Sequence, residues 1–350
     1  MFCPSQDCPA DWPIIIIGAG PTGLATAIAA QQMGLPALVL EKGCLVNSIS
    51  HYPTNMVFFT TSELLEIGNV PMTSASAKPT RLEAMSYYRK VAMHYQLHVH
   101  TYERVEHVAQ VPRGFVIKTH TGSGARRTYH ARKLVIAIGY YDLPNRLDVP
   151  GENRPQVLHY YKEAHPYAGC RVAVIGGKNS AVDAALDLYR HNAQVTLVVR
   201  KPQLSSSIKY WVRPDIENRL KAGEIASRFS TRVVSIEADG LRVAPVESPA
   251  NPAEEFLPAD FVFALVGYHP DFAFLESAGV EFDPATHRPR INLKTYESNV
   301  PGLYLGGVVV AGRHTGEIFI ENGRFHGQVI ADHIRAGLDS PQASLASPHD

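Results

Sequence analysis

Two glycine-rich loops contain the residues of this chain that are best suited to chemistry. The first loop reads GAGPTG and lies between an apolar run and a segment with helical spacing. In such a loop the first glycine allows a tight turn, the second lets the backbone approach a pyrophosphate, and the third lets the helix pack against the strand. The helix N-terminus then presents free N–H groups to the phosphates. The pattern predicts a dinucleotide site formed by Gly18, Gly20, Pro21, Thr22 and Gly23.

An acidic residue decides which dinucleotide the first loop favours. Glu41 ends the second apolar run, 23 residues after Gly18. A carboxylate at this place accepts hydrogen bonds from both ribose hydroxyls of an adenosine and repels a 2′-phosphate. The first loop therefore favours an unphosphorylated adenosine, and we place the neighbouring Lys42 in the same site.

The second loop reads GGKNSA and is a degenerate copy of the first, but the strand that follows its helix ends in Arg200 and Lys201 instead of an acid. Two cations there fit a 2′-phosphate and gain nothing from a bare ribose. A solvated basic turn is the alternative interpretation. FAD at the first loop and NADPH at the second satisfy both patterns. The residues expected to bind NADPH are Gly176, Lys178, Asn179, Ser180, Ala181, Arg200 and Lys201.

The two loops belong to an internal repeat of strand, glycine-rich turn, helix and strand. Residues 14–42 and 171–201 align at an offset of 158. Continuous apolar runs bounded by glycine are typical of parallel strands that are buried on both faces. The repeat predicts an α/β fold with two Rossmann-like dinucleotide-binding domains of the three-layer β-sheet sandwich type.

The length of 350 residues leaves room for two domains. The order of the motifs predicts an FAD domain that is interrupted by an NADPH domain. The expected bounds are 12–148 and 276–337 for the FAD domain, 149–275 for the NADPH domain, and 1–11 and 338–350 for flexible tails.

Other segments have the patterns of regular elements. The pattern predicts a helix over 80–97, a ribbon of strands over 105–111, 115–121 and 127–130, a buried strand over 134–138, a Pro-rich loop over 245–258 and a final helix over 318–334.

This last helix begins near residues 317–319. Its N-terminal dipole is expected to face the flavin pyrimidine.

Composition excludes several classes of function. Lys plus Arg and Asp plus Glu both number 33, so the chain lacks the basic excess that nucleic-acid binding usually requires. No apolar run reaches the ~20 residues of a membrane-spanning helix. Four cysteines without a CxxC do not form a disulfide framework, and sixteen histidines without HExxH give no metal motif. We expect a cytoplasmic protein without nucleic acid, membrane or metal partners.

Longer motifs resemble known flavoproteins. Three turns resemble those of the thioredoxin-reductase-like group, and several unusual stretches resemble the YpdA family of bacillithiol disulfide reductases. The turns are residues 137–139 (AIG), 265–270 (LVGYHP) and 303–308 (LYLGGV), and the unusual stretches are 46–49 (VNSI), 51–54 (HYPT), 139–145 (GYYDLPN), 209–218 (KYWVRPDIEN) and 319–327 (FIENGRFHG).

The resemblance implies FAD- and NADPH-dependent reduction of a low-molecular-weight disulfide, bacillithiol disulfide, and it implies a homodimer or higher homo-oligomer. This sequence departs from each resemblance at one place. Thr22 stands where members of the YpdA family often carry cysteine, and Val308 replaces the aspartate that the thioredoxin-reductase-like group has in the last turn. The further contacts that the resemblance implies are Asn47, Gly139, Gly307 and Ile318 to FAD and Gly267 to NADPH.

The sequence does not identify a catalytic group. Cys44 is a candidate for a mixed disulfide, although an inert loop thiol is the alternative. His51 and His326, and after them His159 and His314, are candidate proton donors to a departing thiolate, although structural histidines are more common.

The remaining polar candidates have weaker signals. Lys209 and Arg213 are candidates for holding the NADP phosphate or a substrate carboxylate, with solvated helix-face cations as the alternative. Cys170 has the setting of a core or edge residue, and Cys3 and Cys8 lie in the N-terminal tail.

Three other functions remain open from the sequence. A ferredoxin or flavodoxin NADP reductase of the same fold also lacks CxxC. A flavin monooxygenase would use both cofactors, but the chain is short for that class and the second loop is a poor GxGxxG. A non-catalytic redox sensor would bind the same cofactors without passing on electrons.

Overall fold

The computed structural model describes residues 10–247 and 254–338, and these form two compact units. The first unit takes in the chain up to His51, Met56–Leu143 and the chain from His269 onward. The second takes in Tyr52–Asn55 and Pro144–Tyr268. The chain passes into the second unit after Leu143 and returns to the first at His269, in each case a few residues before the expected bounds at 148 and 275.

The predicted tails fall almost entirely outside the described residues, as do Cys3 and Cys8. Where the tails are described, a strand begins at Asp11 and a helix ends at Leu338. In this part of the chain no helix has the length and apolar character needed to cross a membrane.

Both units combine short strands with helices. The elements before the second glycine loop are β1 (Asp11–Ile17), α1 (Pro21–Gln32), β2 (Ala37–Leu40), α2 (Asn47–Ser50), a 3₁₀ turn (Ser62–Leu65), α3 (Arg81–His94), β3 (His98–His100), β4 (Glu103–Val111), β5 (Gly114–Thr121), β6 (Arg126–Ile136), β7 (Leu143–Pro144), β8 (Val157–Leu158), a 3₁₀ turn (His165–Tyr167) and β9 (Arg171–Ile175). Those after it are α4 (Asn179–Arg190), β10 (Gln194–Val198), α5 (Arg213–Lys221), β11 (Ala226–Arg228), β12 (Thr231–Ile236), β13 (Gly240–Pro245), β14 (Glu255–Pro258), β15 (Phe261–Ala264), β16 (Tyr268–His269), α6 (Phe272–Ser277), β17 (Leu303–Leu305), a 3₁₀ turn (Gly307–Ala311), α7 (Ile320–Gly323) and α8 (His326–Leu338).

The sheet of the first unit has seven strands in the order β3-β2-β1-β6-β5-β4, with β17 also paired to β6. The strands β1, β2, β3, β6 and β17 run parallel to one another, whereas β5 pairs antiparallel with both β4 and β6. The run Ile14–Ile17 of β1 is buried between two parallel neighbours. Burying each isoleucine contributes roughly 1.5–3 kcal/mol, so this run anchors the loop that follows it.

Strand β6 corrects the prediction of two separate strands at 127–130 and 134–138. Its first half pairs with β5, where polar and apolar residues alternate, and its second half pairs on the same edge with β17. The change of neighbour explains the change of pattern, because an antiparallel ribbon exposes one face and a buried parallel strand exposes neither.

The second unit contains a parallel sheet in the order β11-β10-β9-β15-β8 and an antiparallel sheet in the order β12-β13-β14. The Pro-rich loop predicted over 245–258 is wrong at its end, because β14 (Glu255–Pro258) pairs with β13. Gly240 permits this pairing, since a Cβ there would lie 2.3 Å from the carbonyl oxygen of Leu257.

The single helix predicted over 318–334 is also wrong. The chain forms the four-residue helix α7, and a separate helix α8 begins at His326. Gly327 lets α8 lie directly on α1, because a Cβ there would lie 2.5 Å from the backbone nitrogen of Thr26. A four-residue helix has little dipole, and the N–H of Phe319 already donates to Asn322 Oδ1 at 2.7 Å. The dipole effect expected near residues 317–319 therefore has no helix of sufficient length to supply it.

Candidate cofactor sites

The first glycine loop connects β1 to α1 and leaves one face open. Gly18 has a φ of +107°, and a Cβ there would lie 2.5 Å from the carbonyl oxygen of Ala137. A Cβ on Gly23 would lie 1.9 Å from the carbonyl oxygen of Gly18, whereas one on Gly20 would meet nothing within 4 Å. Pro21 begins the helix, where a missing N–H costs nothing. The loop is thus packed on its inner side and accessible at Gly20.

The Glu41 carboxylate lies against this loop. Its Oε2 accepts the N–H of Ala19 at 2.8 Å, and its Oε1 accepts the N–H of Gly43 at 2.8 Å. Burial raises the pKa of Glu41, and the two backbone hydrogen bonds oppose that rise. Each oxygen keeps a free lone pair, because a carboxylate has about four acceptor positions. The arrangement fits the ribose hydroxyls of an adenosine.

Two polar candidates beside Glu41 have partners within the protein. Lys42 Nζ lies 2.7 Å from Asp142 Oδ2. Asn47 Oδ1 accepts the N–H of Cys44 at 3.4 Å. Both side chains therefore brace the loop after β2, and Asn47 packs over Gly43, where a Cβ would lie 2.2 Å from Asn47 Oδ1.

Thr22 joins three segments that are far apart in sequence. Its hydroxyl donates to the carbonyl oxygen of Gly323 at 3.3 Å. A Cβ on Gly307, which has a φ of +76°, would lie 2.9 Å from the same hydroxyl. The structure thus brings Gly307 to the first glycine loop. Ile318 packs against the hydrophobic core of the first unit. Gly139 has a positive φ of 71°, and a Cβ there would lie 3.9 Å from Ser48 Oγ.

His326 holds the turn at Gly307. Its Nδ1 accepts the N–H of Gly307 at 3.1 Å, and its ring stacks on Tyr296 with centroids 4.1 Å apart. Burial lowers the pKa of His326 to about 4. The imidazole is therefore neutral at neutral pH, and its proton lies on Nε2. No sequence pattern indicates this contact, because only the fold brings the two residues together.

The low pKa of His326 predicts a pH-dependent stability. The pKa of this imidazole is 6.5 in the unfolded chain and about 4 in the folded chain, so the folded chain takes up the proton only at lower pH. Since the unfolded state binds more protons between these values, the contribution to the free energy of unfolding is fully present above pH 6.5 and falls as the pH drops towards 4. The fall amounts to about 3 kcal/mol at most.

Urea unfolding of wild type and His326→Gln between pH 4 and 7.5 measures this effect. The variant is expected to lack this part of the pH dependence, and His107→Gln, which changes an exposed imidazole, is expected to keep it. Parallel pH profiles for wild type and His326→Gln would contradict the assignment.

The structure brings Cys44 and His51 together through a third side chain. Cys44 Sγ lies 3.3 Å from Ser50 Oγ, and Ser50 Oγ lies 3.1 Å from His51 Nδ1. His51 Nδ1 also lies 2.8 Å from the carbonyl oxygen of Asn47, one helical turn away. Cys170 belongs to the second unit, where it packs against the hydrophobic core and its Sγ lies 4.0 Å from the carbonyl oxygen of Ala168.

The second glycine loop connects β9 to α4. Gly176 has a φ of +142°, and a Cβ there would lie 2.5 Å from the carbonyl oxygen of Leu265 and 3.0 Å from Ala181 Cβ. Ala181 thus occupies the third glycine position without a clash, because Gly176 has no Cβ that would crowd the Cβ of Ala181. Lys178 precedes the helix in extended conformation, and both Lys178 and Ser180 are exposed.

The side chain of Asn179 holds the segment that passes in front of α4. Its Oδ1 accepts the N–H of Lys209 at 3.0 Å, and its Nδ2 donates to the carbonyl oxygen of Ser207 at 3.0 Å. Lys209 Nζ in turn lies 2.8 Å from Asp183 Oδ2. Asn179 therefore shapes the loop, a role that its place in the motif did not indicate.

Arg200 and Lys201 are exposed and, among the residues that the structure describes, have no ion-pair partner. Their backbone is held just after the carboxyl end of β10, since the N–H of Ser230 donates to the carbonyl oxygen of Lys201 at 3.0 Å. Lys209 and Arg213, by contrast, are paired with carboxylates, the latter with Glu217 at 2.8 Å. Arg200 and Lys201 are thus the better placed pair for an anion.

Gly267 closes the second unit near its glycine loop. It has a φ of +97°, and its Cβ position lies 3.1 Å from Asn145 Nδ2. The Asn145 N–H donates to the carbonyl oxygen of Gly267 at 2.9 Å. The remaining candidate histidines have other settings: His159 lies 3.7 Å from Glu152, and His314 is exposed.

Comparison with known proteins shows the family of the chain. Residues 15–307 match the family described as pyridine nucleotide-disulphide oxidoreductase. The chain is 46% identical over 321 residues to bacilliredoxin reductase Bdr of Bacillus subtilis, covering 91% of this chain and 96% of that protein. A ferredoxin–NADP reductase of Ignicoccus hospitalis is 26% identical, covering 93% of this chain and 98% of that protein.

A solved structure of bacillithiol disulfide reductase Bdr (YpdA) from Bacillus cereus has a TM-score of 0.90 and 43% identity, covering 93% of this chain and 99% of that chain. The predicted fold with two Rossmann-like domains is confirmed by this similarity. The resemblance to the YpdA family is confirmed as well. The chain therefore belongs to the pyridine nucleotide-disulphide oxidoreductase family and, within it, to the Bdr (YpdA) flavoprotein oxidoreductases.

Proposed function

We propose that this protein reduces bacillithiol disulfide to bacillithiol with NADPH as the electron source and FAD as the carrier. The reaction consumes NADPH, a proton and one disulfide, and it yields NADP⁺ and two thiols. When bound, FAD takes up two electrons as hydride and passes them to the disulfide. The observation that carries the proposal is the contrast between the Glu41 carboxylate at the first loop and the exposed cations Arg200 and Lys201 at the second.

The first unit is proposed to hold FAD. Its open face at Gly20 admits a pyrophosphate to the backbone N–H groups at the start of α1. The free lone pairs of Glu41 accept the ribose hydroxyls. Further support comes from Thr22 and Gly307, which bring the last turn of the unit to the same loop.

The second unit is proposed to hold NADPH. The N-terminus of α4 follows Gly176, as the phosphate-binding helix of such a unit does. Arg200 and Lys201 extend from the end of β10, where the 2′-phosphate of NADPH would lie. Guanidinium and ammonium groups are the preferred partners of phosphate.

The choice of disulfide rests on the relatives, two of which are named as reductases of bacillithiol disulfide or of a bacilliredoxin. The sequence has no CxxC, so an internal redox pair of that spacing takes no part. Cys44, which has Ser50 and His51 beside it, is the candidate thiol for a mixed disulfide with the substrate. A homodimer and a cytoplasmic location remain predictions from the sequence.

Flavin absorbance under anaerobic conditions tests the proposal. NADPH is expected to bleach the flavin far better than NADH. Adding bacillithiol disulfide is then expected to restore the oxidised spectrum, with two thiols released for each flavin. Cystine serves as the control disulfide.

Three outcomes would count against the proposal. Recovery with ferredoxin but not with the disulfide would favour electron transfer to a protein, as in the ferredoxin–NADP reductase relative. Recovery only with oxygen would favour a monooxygenase. A flavin that NADPH does not bleach would favour a sensor.

A further inference from the structure

A cluster of polar side chains is buried at the start of β4. Glu103 is fully buried, and its Oε1 accepts hydrogen bonds from Thr119 Oγ1 at 2.6 Å and from the Tyr129 hydroxyl at 2.9 Å. Its Oε2 lies 3.2 Å from His100 Nδ1 and 3.5 Å from Arg127 Nη1. A carboxylate with partners on both oxygens is fixed in one position.

The backbone of the same segment holds Glu41 from both sides. The N–H of Glu41 donates to the carbonyl oxygen of His100 at 2.9 Å, and the N–H of Glu103 donates to the carbonyl oxygen of Glu41 at 2.8 Å. Between them, the N–H of Tyr102 donates to the carbonyl oxygen of Gly43 at 2.9 Å. Two residues whose side chains meet in the cluster, His100 and Glu103, are thus the ones whose backbone pairs with Glu41.

The turn from His100 to Glu103 needs such support. Tyr102 has a φ of +56°, a left-handed conformation that residues other than glycine rarely adopt. Strained backbone of this kind persists only where the surrounding structure holds it. The contact between His100 and Glu103 closes the turn, because it links the residues that flank the strained part.

Glu103 is well suited to hold the turn as a charged group. Burial alone would raise the pKa of Glu103, but the hydrogen bonds from His100, Thr119 and Tyr129 outweigh burial and lower that pKa below its ordinary value. The carboxylate is therefore ionised at neutral pH. Replacing the carboxylate by an amide removes the charge and turns one of its two acceptor oxygens into a donor, so the donors on that side lose their acceptor.

We propose that Glu103 is a positioning residue for FAD, which acts by fixing Glu41 against the adenosine ribose. The inference rests on the proposed FAD site in the first unit. Glu103 itself has no contact with the cofactor, since its carboxylate is enclosed by side chains of β3, β5 and β6. No motif in the sequence pointed to this residue.

Titration of the apoprotein with FAD tests the inference. We expect Glu41→Gln to bind FAD about 100-fold more weakly and Glu103→Gln about 10-fold more weakly, because the lost contacts are charge-assisted. The double variant is expected to bind no more weakly than Glu41→Gln, since residues that act through one another are not additive. Dissociation constants are read from flavin fluorescence, so turnover is not required.

An FAD analogue that lacks the 2′-hydroxyl of the adenosine ribose separates positioning from general support. Wild type is expected to bind FAD more tightly than the analogue, and Glu103→Gln is expected to lose most of that preference. A merely structural role would weaken both ligands equally. Thr119→Val, which removes one donor to Glu103, is the second variant. It is expected to lose a smaller part of the preference for FAD over the analogue.

Glu152→Gln is the matched control. Glu152 is a buried carboxylate of the second unit that accepts the N–H groups of Leu147 and Asp148. This variant is expected to bind FAD like wild type. Unchanged FAD binding in Glu103→Gln, or additive losses in the double variant, would overturn the inference and leave the proposed function intact. If wild type and Glu41→Gln bind FAD equally, the proposed site itself is wrong and the inference fails with it.

Discussion

Replacing Gly20 by alanine is expected to leave the apoprotein as stable as wild type and to weaken FAD binding by about 100-fold, or about 2.7 kcal/mol. The structure has nothing within 4 Å of a Cβ at Gly20, and its φ of −76° suits any residue, so neither packing nor backbone conformation requires glycine there. The open space is where the proposed site needs the cofactor pyrophosphate to approach the backbone. A methyl group in that space would hold the phosphates away from the N–H groups of α1.

Gly23→Ala is expected to have the opposite effect. Its Cβ would lie 1.9 Å from the carbonyl oxygen of Gly18, so α1 must move away from β1. Overpacking of this kind costs about 1–3 kcal/mol or more, and the loss is expected in the apoprotein as well. Gly316→Ala is the control, because Gly316 is exposed and its Cβ position is free.

Urea unfolding of the three apoproteins, followed by FAD titration, compares these substitutions. A Gly20→Ala protein that binds FAD normally would show that the pyrophosphate does not pass this residue. A Gly20→Ala apoprotein as unstable as Gly23→Ala would show that the glycine serves the fold and not the ligand.

Replacing both Arg200 and Lys201 by alanine is expected to lower the preference for NADPH over NADH by about 100-fold, because a charged hydrogen bond contributes about 1.5–3 kcal/mol and both side chains are exposed to solvent. The change is expected in the second-order rate constant for flavin reduction by NADPH. The constant for NADH, which carries no 2′-phosphate, is expected to stay near the wild-type value.

Lys221→Ala is the control for the loss of a surface cation elsewhere, since Lys221 is an exposed cation at the end of α5 in the same unit. Stopped-flow measurement at low and high salt separates a specific contact from the general field of the surface. If the double variant loses rate with both cofactors equally, the two cations steer dinucleotides in general and do not read the phosphate.

Local patterns were sufficient to predict the parts of the fold that depend on neighbouring residues. The glycine loops, their strands and the acid at position 41 follow from spacing along a few dozen residues. The helix α3 was predicted over 80–97 and is observed as Arg81–His94, with Thr80 and Glu83 forming a capping box at its start.

The missed features depend on partners that are distant in sequence. One strand was predicted as two because β6 changes its neighbour from β5 to β17 midway. The helix after Ile318 was predicted as one because its helical spacing continues, whereas the structure has a turn at residues 324–325 between α7 and α8, and Gly327 lies against Thr26 of α1. No local pattern reveals that Thr22 bonds to Gly323, 301 residues later.

The pairing of β17 with β6 has a consequence for how the chain acquires its structure on the ribosome. Apart from the short piece 52–55, the second unit is continuous from Pro144 to Tyr268, so it can fold as soon as that stretch has emerged. The first unit must wait for Leu303 to reach Leu134. Until then the second half of β6 has an unpaired edge, which is the state most exposed to aggregation. Synthesis that stops before β17 would therefore yield a finished second unit attached to an unfinished sheet.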